Sequence, residues 1–88
     1  MQTYPLKRKD MREESIGEER YLYGANQETL TVLNPVATRI WDLCDGRHTL
    51  EAIVAALHRE FPDIPETELR ADIETCLRDF EARNLLHE

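Results

Sequence analysis

Residues that usually carry chemistry are scarce in this chain. It has two cysteines, three glycines, three histidines and one serine in 88 residues. Gly17, Gly24 and Gly46 are scattered, so no glycine-rich loop exists to cradle a phosphate. Neither Cys44 nor Cys76 has a CxxC partner. His48, His58 and His87 lack the i, i+4 spacing of a helical metal site. Ser15 stands in no nucleophile-elbow pattern, which leaves serine hydrolysis without an anchor. The expectation is a protein with no metal, no cofactor and no catalytic constellation, and hence not an enzyme.

Positive charge and long apolar runs are lacking too. Eleven Lys and Arg face 18 Asp and Glu, for a net charge of -7. That balance disfavours nucleic-acid binding, which rests largely on cationic side chains neutralising phosphates. It fits a basic peptide partner, or simple solubility. No stretch is apolar enough to cross a membrane. The first nine residues carry charges with no apolar run behind them, so they do not read as a signal peptide. A cytoplasmic protein is expected, with both cysteines reduced and packed in the interior.

What is present is the make-up of one small globular domain, 41% hydrophobic and 33% charged. Residues 1–12 read as an extended basic arm containing Lys7, Arg8 and Lys9, and 13–88 as the domain. Three short strands follow the arm. Glu14-Ser15-Ile16 is the first, with a turn at Gly17-Glu18-Glu19. Arg20-Tyr21-Leu22-Tyr23 is the second, aromatic-rich and alternating. After a loop at Gly24–Glu28 comes the third, Thr29–Val32, with Leu30 and Val32 on one face and two threonines on the other. Short connections favour an antiparallel meander. Leu30 and Val32 are expected to anchor the third strand on the core.

Three helices complete the chain. Asn34 is a strong N-cap and Pro35 suits the first helical position. Val36, Ala37, Ile40, Trp41 and Cys44 recur at helical spacing, and Asp45-Gly46 stops the run. A second helix starts near Thr49, buries Leu50, Ile53, Val54 and Leu57, and ends before Pro62. A third runs from about Pro65 to Arg83 on a stripe of Leu69, Ile73, Cys76, Leu77 and Phe80, with Asn84 in the left-handed capping role. The order β-β-β-α-α-α places the chain in the α+β class, with a winged-helix-like arrangement. Trp41 and Phe80 read as core residues.

Two features stand out for function. One is the short third strand, whose outer edge has no assigned partner; such an edge is either blunted or recruits a peptide by strand addition. The other is the third helix, longer than the core requires. One flank carries Arg70, Glu74, Arg78 and Glu81, the other Glu68, Asp72, Thr75 and Asp79.

The stretches "LNPVATRIWDLCDGRHTLEAIVAAL", from Leu33 to Leu57, and "ELRADIETCLRDFEARNLL" resemble the PqqD family. The shared marks are Leu-Asn ahead of the first helix, Leu-Cys-Asp-Gly at its end, and Arg-Ala-Asp-Ile opening the last helix. The chain departs from that family at Asn84-Leu85-Leu86, where a Gly-Trp-like pair is usual. The resemblance implies a recognition element for the precursor peptides of ribosomally made natural products. In that family a leader segment adds to the third strand, rests against the third helix and is presented to a modifying enzyme, a radical SAM protein in pyrroloquinoline quinone biosynthesis. Carried over to this sequence, main-chain pairing falls to Thr29, Leu30, Thr31, Val32 and Leu33. Arg70, Ile73, Glu74 and Leu77 are the first choice for the groove wall, and Asp72 and Thr75 the alternative.

Two rival readings remain. A winged-helix DNA-binding regulator would need a basic recognition helix, yet the third helix has three arginines against six acidic residues. A small dimerising scaffold would pair the free strand edge with a second copy, making a homodimer.

Overall fold

The structure is a computed structural model describing residues 4–24 and 30–86. Six elements follow in the expected order: β1 (Arg12–Ile16), β2 (Glu19–Tyr23), β3 (Leu30–Leu33), α1 (Pro35–Asp42), α2 (Leu50–Glu60) and α3 (Glu66–Ala82). The strands form one antiparallel sheet in the order β1-β2-β3. β1 starts two residues earlier than its sequence signal, and Gly17, at φ 62°, lets the chain reverse between Ile16 and Glu19. Thr29 lies outside the described residues, as do most of the Gly24–Glu28 loop and His87.

The register sorts the sheet into two faces. Leu22 stands between Glu13 and Thr31, and Arg20 is opposite Leu33. Side chains alternate along a strand, so Leu22, Thr31 and Leu33 share the inner face with Arg20, Glu13 and Ser15. Tyr21, Tyr23, Leu30 and Val32 share the outer one. Leu22 and Leu33 are buried, whereas Leu30 and Val32 are 52% and 48% exposed. The expectation that Leu30 and Val32 anchor the strand on the core is therefore overturned. The reason is Leu33, which ends β3 and leads straight into α1. It is the residue that α1 covers, so alternation turns its neighbours Val32 and Leu30 outward.

The helices form as their caps dictate. The Asn34 side chain accepts the Ala37 N–H at 2.8 Å, and the Thr49 hydroxyl accepts the Ala52 N–H at 3.1 Å. At the far end of α3, Asn84 takes φ 62°, the Leu85 N–H donates to the Phe80 carbonyl and the Asn84 N–H to that of Glu81. This is a Schellman closure with Asn in the usual glycine position. It turns Leu85 into the core, where it is 4% exposed.

The core lies between the inner sheet face and the three helices: Leu22, Leu33, Ile40, Trp41, Cys44, Ile53, Val54, Leu57, Leu69, Ile73, Phe80 and Leu85. Trp41 and Phe80 meet edge to face at 5.4 Å. The segment before β1 is tied into this body. Lys7 N–H donates to the Cys44 carbonyl, Gly46 N–H to that of Pro5, and Arg8 N–H to that of Leu85. The Lys7 ammonium sits 5.5 Å from the Trp41 ring centre. These contacts hold the ends of α1 and α3 together from one side. Among the described residues no helix is long and apolar enough to cross a membrane.

Candidate functional site

Among the described residues α1 is the helix whose backbone comes closest to β2 and β3, so its orientation bears on what lies beside β3. Thr38 is buried and its hydroxyl donates to the Leu33 carbonyl at 3.3 Å. One turn on, Asp42 accepts from the Arg20 guanidinium at 2.8 Å, and Arg20 also reaches Glu13 at 3.0 Å. Arg39 binds Asp42 at 3.3 Å and Glu60 of α2 at 2.8 Å. This half-buried network locks one side of α1 to the β1–β2 hairpin and to the end of α2. On a helix of 3.6 residues per turn, Val36 and Ile40 lie on the opposite side of the cylinder. That side faces away from the Arg20 network of the β1–β2 hairpin.

A groove runs there between α1 and α3. Its volume is about 270 Å³, and Asn34, Val36, Ala37, Ile40, Ile64, Leu69, Asp72 and Cys76 line it. The walls are apolar apart from the Asn34 amide and the Asp72 carboxylate. Burial pushes the Cys76 thiol up to about 11, so it stays neutral and acts as a further apolar wall. Directly before Asn34 comes β3, which among the described residues pairs with β2 alone. Its other edge offers backbone N–H and C=O groups with no strand partner among the described residues. β1 also has an open edge, but its five residues are exposed and mostly charged, and the cavity of about 390 Å³ that its Ser15 lines also carries Glu18, Glu19, Arg20, Arg39, Asp42 and Glu60. The edge of β3 runs directly into Asn34, which lines the apolar groove, so main-chain hydrogen bonding and a place for side chains meet there.

The sequence-based candidates divide accordingly. Leu30, Thr31, Val32 and Leu33 form the open strand. Arg70 points away from it, since its guanidinium pairs with Glu51 of α2 through both terminal nitrogens. Glu74 lies near enough to Arg70 to hold its charge in place, along with Glu51 and Glu66. Ile73 is fully buried and Leu77 packs on the core, so both support α3 from beneath. The flank that meets the groove is the one with Asp72, the alternative choice. Sequence reasoning assigned Val36, Ala37, Ile40, Leu69 and Cys76 to helix stripes and missed them as groove residues. A stripe too wide for one packing partner was their only signal. Ile64 gave none. Among the described residues no group of three or more His, Cys, Asp or Glu could hold a metal ion.

The comparisons with known proteins bear on this arrangement. The family model of coenzyme PQQ synthesis protein D matches residues 19–86. A PqqA binding protein of Pseudomonas syringae pv. tomato (strain ATCC BAA-871 / DC3000) is 47% identical over 45 residues, which are 51% of this chain and 46% of the relative. Another, from Pseudomonas syringae pv. syringae (strain B728a), is 40% identical over 45 residues, 51% of this chain and 48% of the relative. Each match thus spans about half the length of the curated relative. A solved structure of TbiB1 in complex with the TbiA(beta) leader peptide superposes with a TM-score of 0.81, covering 93% of this chain and 94% of that one. At 24% identity the likeness is one of fold.

Proposed function

We propose that this chain, which belongs to the PqqD family, is a non-catalytic recognition domain for a ribosomally made precursor peptide. The leader segment of that peptide adds as a strand to the open edge of β3 and lays alternate side chains into the groove between α1 and α3. The domain then presents the rest of the peptide to a modifying enzyme, such as a radical SAM protein. The observation that carries this reading is the edge of β3, which has no strand partner among the described residues and leads at Asn34 into the lining of an apolar groove. Main-chain hydrogen bonds supply affinity to an extended guest, and the groove supplies selectivity. The curated relatives are PqqA binding proteins, and the structural neighbour was solved with a leader peptide.

An NMR titration with a synthetic PqqA peptide tests it. Shifts should concentrate on residues 30–34 and on Val36, Ala37, Ile40, Asp72 and Cys76. Shifts confined to the β1–β2 hairpin or to Lys7–Lys9 would refute the site, and no shift at millimolar peptide would refute PqqA as the ligand. If β3 instead pairs with a second copy, the free protein sediments as a dimer and peptide does not dissociate it.

A further inference from the structure

Most acids near a guanidinium in this molecule are already paired. Arg8 takes Asp10, Arg20 takes Glu13 and Asp42, Arg39 takes Glu60, Arg70 takes Glu51, and Arg83 takes Asp79. Asp72 is different: it has no ion-pair or hydrogen-bond partner among the described residues, and it is the only charged residue on the groove wall. One turn before it on the same helix stands Glu68, which is also unpaired among the described residues and exposed. Around Asp72 the groove is lined by Val36, Ile40, Leu69 and Cys76, surfaces that a methylene chain can cover.

We infer that the groove is a pocket for a lysine or arginine side chain of the bound peptide. The aliphatic stem lies against the apolar walls and the cationic head reaches Asp72. Long basic side chains bury their stems and keep their charge at a wetter rim, and a channel of about 270 Å³ with one carboxylate has that pattern. A guest acid there would meet Asp72 and, one turn away, Glu68, with no Lys or Arg among the described residues that line the groove to offset them. The net charge of -7 favours a basic guest over an acidic one at longer range as well. This inference rests on strand addition at β3. It goes further by stating which side chain the guest must carry.

The test uses three synthetic peptides built on one alternating Val/Thr strand, differing only at a central residue: lysine, norleucine or glutamate. Affinities are read by NMR titration of the intact protein. The lysine peptide should bind about fivefold more tightly than the norleucine one, which keeps the stem and lacks the charge, and the glutamate peptide should bind most weakly. In Asp72→Asn the lysine advantage should vanish, and in Asp72→Lys glutamate should become the best guest. Equal binding of lysine and norleucine, with shifts on β3 and the groove, would overturn this inference and leave strand addition standing. A lysine preference that survives in Asp72→Asn would overturn it in the same way. If no peptide shifts β3, strand addition and this inference fall together.

Discussion

A four-residue strand whose faces carry Leu33 on one side and Leu30 with Val32 on the other permits a sharp comparison. Leu33→Ala removes most of a side chain that is 4% exposed and packed beneath α1. Such a truncation costs the transfer energy of the lost carbons plus the cavity left behind, about 2–5 kcal/mol. Leu30→Ala acts on a residue 52% exposed. Its remaining burial is about half of the 1.5–3 kcal/mol that full burial contributes, so the expected loss is about 1 kcal/mol or less. With a urea m-value of about 1 kcal/mol/M for a small domain, the midpoint should fall by about 2 M or more for Leu33→Ala and by about 1 M or less for Leu30→Ala. Equilibrium urea unfolding followed by circular dichroism reads both. The reverse order, or equal losses, would mean that β3 is shifted by one residue. A one-residue slip exchanges the two faces, so it would refute the outward-facing Leu30 and Val32 and, with them, the placement of the peptide site.

Asn34→Ala should lower stability by about 1 kcal/mol through loss of the cap on Ala37 N–H. Calorimetry should show this as a melting temperature about 4–8 °C lower, restored by Asn34→Ser. Burial pushes the Cys44 thiol up to about 12 from an ordinary 9.0, so the folded state holds its proton where the unfolded state ionises. Stability from this group is intact below about pH 9 and is lost as pH rises toward 12. The urea midpoint should therefore drop as pH rises above about 9, and drop less in Cys44→Ala. A thiol reagent at pH 8 should label Cys44 only after unfolding, and rapid labelling of the native protein would contradict its burial.

The local chemistry of the chain settled most of the fold. Asn34-Pro35 and Thr49 start helices because their side chains or fixed backbone angles satisfy the first turn without help from elsewhere. Asn84 closes α3 because it tolerates positive φ, here 62°; α1 instead ends at Asp42 with Leu43 as its cap, and Gly46, at φ 78°, lies beyond the helix, where its N–H donates to the Pro5 carbonyl. The stripes on α1, α2 and α3 identified nearly every core residue, and the LeuAsn-to-CysAspGly block identified the family. These signals are short-range, so one chain suffices to read them. The face of β3 was another matter. Both Leu30/Val32 and Leu33 are apolar, and alternation alone cannot say which side meets the core. That choice was made by α1, which folds back over Leu33 and is pinned by Arg20 and Asp42, 22 positions apart. The working flank of α3 was decided the same way. Burial of Leu69, Ile73 and Phe80 sets the roll of α3, and the partners it then meets, Glu51 of α2 for Arg70, 19 positions away, and the α1 side of the groove for Asp72 and Cys76, follow from where α1 and α2 stand. Pairings over such distances depend on how whole elements pack, and no periodicity within a single helix encodes them.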